Sequence, residues 1–89
     1  MTHTEEWRTI IEIEEHDDHT TAVARLQTRD ATSLEGRGRA RRNPLDRDVP
    51  EIGAELAAAR ALAELQHRLL DAAIGDIEQA TGQEAHLTS

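Results

Sequence analysis

From Trp7 to Glu15 the chain alternates: Trp7, Thr9, Ile11 and Ile13 point one way, and Arg8, Ile10, Glu12 and Glu14 the other. A period of two with β-branched residues predicts a strand. Glu15 to His19 reads as a polar turn. Thr20 to Thr28 alternates again, with Ala22, Ala24 and Leu26 opposite Thr21, Val23, Arg25 and Gln27. Residues 29–32 form a second tight connection. Ser33 to Arg42 is the third strand, with Leu34, Gly36, Gly38 and Ala40 on one face and Glu35, Arg37, Arg39 and Arg41 on the other. Short connections make the three an antiparallel meander.

After a loop at 43–47 the period changes. Asp48 suits an N-cap, Pro50 the first turn and Glu51 the capping-box position. The stretch that follows, to about Ala80, is rich in Ala and Leu, both strong helix formers. At 100° per residue, Ile52, Leu56, Ala59, Leu62, Ala63, Leu65, Leu69, Leu70, Ala73, Ile74 and Ile77 cover about half the circumference. Gly82 is a natural C′ residue. The expected fold is therefore α+β: a three-stranded antiparallel meander followed by one long amphipathic helix (β-β-β-α). One domain spans residues 1–82, and 83–89 form a tail.

Size sharpens this picture. A chain of 89 residues makes one small domain whose core is thin. The apolar helix arc is wider than one three-stranded sheet needs. Ile10 and Val23 also sit on the sheet face opposite the main apolar set. Both features predict a homodimer. With no Cys, disulfides and thiolate chemistry are excluded. No apolar run approaches the length of a membrane span. The N-terminus is acidic where a signal peptide would be basic, so a cytoplasmic location is expected.

The net charge of −8 is unevenly spread. Both ends of the chain are acidic, whereas residues 25–47 carry a net excess of Arg, and every basic residue is Arg. On the third strand, Arg37, Arg39 and Arg41 project from one face at roughly 6.6 Å intervals. Meander pairing adds Arg8 and Arg25 to that face, and Arg42 and Arg47 extend it. Such spacing suits phosphates along a nucleic-acid backbone. The competing reading is a solvated face on which Glu12, Glu14 and Glu35 pair the arginines. There is no aromatic platform for base stacking, since Trp7 is the only aromatic residue.

Other constellations carry less. Gly36 and Gly38 resemble part of a phosphate-binding glycine motif but lack its third glycine and the helix that follows at once. Close approach of the helix, with Ala57, Ala58 or Ala61 over the glycines, explains them better. His16 and His19, among Glu15, Asp17 and Asp18, could ligate a divalent metal, but a turn holds ligands poorly. Ser and Thr have no placed His/Asp partners, and no paired acids sit in an apolar pocket. No enzyme activity, cofactor, metal or small-molecule substrate is expected.

The run from Arg42 to Leu62 (RNPLDRDVPEIGAELAAARAL), with the Glu14-Glu15-His16-Asp17 turn, the Gly36-x-Gly38-x-Ala40 strand and Asp76-Ile77-Glu78, resembles a small actinobacterial dsRBD-like domain family. Its members include hypoxia- and dormancy-induced mycobacterial proteins. The likeness covers about residues 7–81. It implies the β-β-β-α fold, a dimer, and a kinship with ribosome hibernation-promoting factors, and it supplies no catalytic residues. The expected function is thus a stress-associated, non-catalytic protein that contacts the ribosome or structured RNA through its arginine face. The alternative is a protein-interaction or regulatory module without nucleic-acid contact.

Overall fold

The computed structural model describes residues 2–28, 33–41, 50–82 and 84. Strands β1 (Arg8–Glu15), β2 (His19–Gln27) and β3 (Ser33–Arg41) precede a single helix, α1 (Pro50–Thr81). The strands form one antiparallel sheet in the order β1-β2-β3. This is the expected α+β meander and helix, with strand ends within a residue or so of their predicted positions. The connection at 29–32, the loop at 43–47, the Asp48 cap, Arg42, and the tail apart from Glu84 lie outside the described residues.

The register follows from the alternation. Ile13, Ala22 and Gly38 lie side by side, as do Ile11, Ala24 and Gly36. These rows face α1. The β1–β2 turn is closed by the His16 amide, which donates to the His19 carbonyl at 2.8 Å. At the other end of the chain, Gly82 has a φ of 70° and donates its N–H to the Glu78 carbonyl at 2.7 Å. A residue without Cβ is favoured there, so the helix stops where the sequence says it should.

The helix docks on backbone. A Cβ built on Gly36 would lie 2.2 Å from the Ala61 carbonyl oxygen, and one on Gly38 would lie 2.2 Å from that of Ala57. So close an approach also demands small residues on the helix, and Ala57 and Ala61 are both 0% exposed. The core is accordingly lean: Ala22, Ala24, Leu26, Ala40, Ala57, Ala61 and Leu65, with Leu34 and Leu69 against its margin. Among the described residues, no large side chain is completely buried.

The sequence expectation for α1 holds in part. Ala57 and Ala61 take the contact over the glycines, as expected, and Leu65 is buried with Leu69 at the core margin, but other large residues of the predicted arc turn outward. Ile52, Leu56, Leu62 and Ile77 are all exposed, Ile52 by 55%. The glycine track dictates this, because only an alanine stripe allows the two backbones to touch. Length adds to it. A helix of 32 residues runs about 48 Å, whereas a nine-residue strand spans about 30 Å, so the C-terminal end of α1 overhangs the sheet.

The helix lies chiefly across β3 and β2. From there it also guards the outer edge of β3. Glu64 Oε1 accepts the Arg37 amide at 3.2 Å, and the Arg60 guanidinium donates to the Arg39 carbonyl at 2.7 Å. Unpaired strand edges invite association with other strands, and side-chain cover of this kind blocks it. β1, at the other edge, lies largely beyond the helix, and its helix-side residues Ile11 and Ile13 are 36% and 43% exposed.

Replacing Gly36 or Gly38 with Ala should destabilise the fold by about 2–3 kcal/mol, because the new methyl group meets immovable backbone. Gly75 has nothing within 4 Å of a Cβ added there, so Gly75→Ala should stabilise by roughly 0.5–1 kcal/mol through helix propensity. Urea denaturation of the three variants measures both effects, and their opposite signs separate close approach from glycine content in general.

Candidate nucleic-acid interface

The alternation that puts Gly36 and Gly38 under the helix turns Arg37, Arg39 and Arg41 to the open face of the sheet. Three cross-strand rows result. Ile10, Arg25 and Glu35 form one; Glu12, Val23 and Arg37 the next; Glu14, Thr21 and Arg39 the third. Beyond them His19 lies opposite Arg41. Arg8 begins β1 opposite Gln27, which itself faces Ser33. It therefore occupies the corner of the sheet diagonal to Arg41. All five predicted strand arginines share the face, as the alternation requires; Arg42 and Arg47 lie outside the described residues.

Their surroundings divide them. Arg25, at the centre, ion-pairs with Glu12 through its NH1 and with Glu35 through its Nε, the latter at 3.1 Å. Its pKa is raised, first by the Glu35 hydrogen bond and then by the Glu12 charge. Arg25 is thus a structural clasp between β1 and β3 across β2. Arg37 is shared: its NH2 lies 3.4 Å from Glu35 Oε2, yet its side chain is 69% exposed. Among the described residues, no ion pair engages the guanidinium groups of Arg39 or Arg8. Arg41 is also exposed, and its charge helps to hold the Asp18 carboxyl below its ordinary range.

The exposed cations therefore concentrate along β3, as Arg37, Arg39 and Arg41. An open groove beside them is lined by Glu12, Glu14, Thr21, Arg25, Arg37 and Arg39, among others. Its acids, Glu12 and Glu14, lie on the β1 side and Arg37 and Arg39 on the β3 side, while Glu35 of β3 pairs with Arg25 and Arg37. A row of arginines two residues apart on a rigid strand can meet consecutive phosphates bidentately.

At the hairpin end, the His16 and His19 rings stack with centroids 4.4 Å apart and planes 17° from parallel. His19 Nδ1 lies 2.6 Å from Asp18 Oδ1. That hydrogen bond is the main reason the Asp18 carboxyl titrates below its usual range. His16 Nε2 sits 3.6 Å from Glu14. Among the described residues, no group of three or more His, Asp or Glu converges as a metal site would require. No helix of the described residues is long and apolar enough to cross a membrane.

Sequence reasoning weighed the pairing of arginines by Glu12, Glu14 and Glu35, and the structure assigns it mainly to Arg25. It missed the edge contacts of Arg60 and Glu64. The available signal was their four-residue spacing on α1, which puts both on the helix flank over β3.

Comparison with known proteins gives a consistent result. Residues 5–86 match the family model described as Rv2632c-like. The chain is 51% identical over 81 residues to the uncharacterized protein Mb1767 of Mycobacterium bovis, covering 91% of this chain and 85% of that one. It is 46% identical over 71 residues to the uncharacterized protein Rv2632c of Mycobacterium tuberculosis, covering 80% of this chain and 75% of that one. The crystal structure of Rv2632c superposes with a TM-score of 0.83 at 40% identity, covering 92% of this chain and 96% of that one. The chain belongs to the Rv2632c-like family.

Proposed function

We propose that this protein is a non-catalytic, cytoplasmic, stress- or dormancy-associated binding module that contacts the phosphate backbone of structured RNA, with the ribosome as its target. The observation that carries this reading is the exposed row Arg37, Arg39 and Arg41 on β3, held rigid because the alternate residues of the same strand are packed against α1. Arg8 adds a further cation to the face, and Arg25 holds the sheet beneath it; Arg42 and Arg47, outside the described residues, are candidates from the sequence alone. The resemblance to dsRBD-like domains and hibernation-promoting factors supplies the class of target and the physiological setting. The protein's strongly acidic remainder limits binding to sites where this one strand meets phosphate, and so disfavours general nucleic-acid affinity.

A second reading is a protein-interaction or regulatory module. The exposed Ile52, Leu56, Leu62 and Ile77 on α1 favour it, since apolar residues on a helix surface are common anchors for another protein.

Binding to purified ribosomes should weaken steeply with salt, and each arginine of the row replaced by Ala should lower the slope of log affinity against log salt by about one. Arg37, Arg39 and Arg41 changed together to Glu should abolish co-sedimentation at low salt. Co-sedimentation that is insensitive to both salt and the triple replacement would refute the phosphate contact and favour the protein-interaction reading.

A further inference from the structure

The sheet has two edges, and they are treated differently. β3 is covered by Arg60 and Glu64. Among the described residues, no hydrogen bond from another element reaches the outer edge of β1. Its sequence, RTIIEIEE, is exposed at every position. Ile10 lies on the open face, 48% exposed, and Ile11 and Ile13 on the helix face.

The edge contacts of β3 also fix which peptide groups of β1 point outward. In an antiparallel ladder, residues alternate between those bonded to a neighbour and those pointing away. The Arg37 amide and the Arg39 carbonyl point away from β2. Their partners, Val23 and Thr21, must therefore bond β1 at Glu12 and Glu14. The His16-to-His19 bond has the same parity. It follows that the peptide groups of Thr9, Ile11 and Ile13 face solvent along the β1 edge.

We infer that β1 pairs antiparallel with β1 of a second copy of this chain, about a two-fold axis at Ile11, to make a continuous six-stranded sheet. In that register Ile11 bonds Ile11 of the second copy, and Thr9 bonds its Ile13, so all three outward residues are used. On the open face Arg8 then lies opposite Glu14 of the second copy, and Glu14 opposite its Arg8, which makes the strand complementary to itself in charge. A shift by two residues toward the hairpin would instead set Glu12 against Glu12. On the helix side, Ile11 and Ile13 of both copies meet over the axis. Leu62 and Leu69 flank them, lying on the side of α1 away from Arg60 and Glu64 at 100° per residue. The arrangement puts the two Arg37–Arg39–Arg41 rows at the outer margins of one sheet. It does not depend on what those rows bind.

Because the chain contains no Cys, single cysteines report the axis directly. Ile11→Cys should cross-link into a dimer through a disulfide or a short bifunctional maleimide. Ile13→Cys should not cross-link by itself, since its equivalent lies about 13 Å away along the strand, whereas Thr9→Cys combined with Ile13→Cys should. In sedimentation equilibrium, Arg8→Glu should raise the dimer dissociation constant at least tenfold, and adding Glu14→Arg should restore it, with circular dichroism confirming the fold. A monomer at all accessible concentrations would overturn the inference. So would a dimer that Leu56→Cys or Ile77→Cys cross-links while Ile11→Cys does not.

Discussion

The structure depends on one close approach: the backbone of α1 against the backbone of β3 at Gly36 and Gly38. Space for a single Cβ is lacking at either glycine. This contact sets the rotation of the helix, because only Ala57 and Ala61 can sit there. That rotation then sends Arg60 and Glu64 to the β3 edge, Leu62 to the opposite flank, and Ile52, Leu56 and Ile77 away from the sheet. It also fixes the face on which the arginines of β3 emerge, since side chains alternate along a strand.

The same contact explains why the domain is lean. Alanine and glycine bring backbones together but bury little apolar surface per residue, and burial scales with the area removed from water. The chain therefore keeps several isoleucines and leucines outside its own core. In a domain of this size the margin of stability is small. Polar clasps add order to the sheet. Arg25 ties Glu12 on β1 to Glu35 on β3, which engages the central cation of the arginine face in structure and leaves Arg37, Arg39 and Arg41 exposed along β3.

Much of this was legible in the sequence. The period-two runs located the three strands, Pro50 and Gly82 bounded the helix, and the Gly36–Gly38 pair identified the strand that the helix approaches. The arginine face followed from alternation alone. The alanine contact was legible too, since the glycine spacing pointed to Ala57, Ala58 or Ala61 and the first and last of these take it. The exposure of Ile52, Leu56, Leu62 and Ile77 was not, because hydrophobicity patterns rank large residues as core. The roles of Arg60 and Glu64 were hidden for a related reason: they bond main-chain groups of β3, and main-chain geometry is invisible to side-chain patterning. The division of labour between Arg25 and its neighbours needed the register, which placed Glu12 and Glu35 within reach of Arg25.

The contact between helix and glycine track can be observed without altering the protein. In solution, the α-protons of Gly36 should show strong nuclear Overhauser contacts to the backbone protons of Ala61 and Leu65, and those of Gly38 to Ala57 and Ala61. The side chains of Arg37 and Arg39 should show none to the alanine stripe of α1. Finding those arginine side chains against Ala57 and Ala61, with the glycines distant from the helix, would contradict the account.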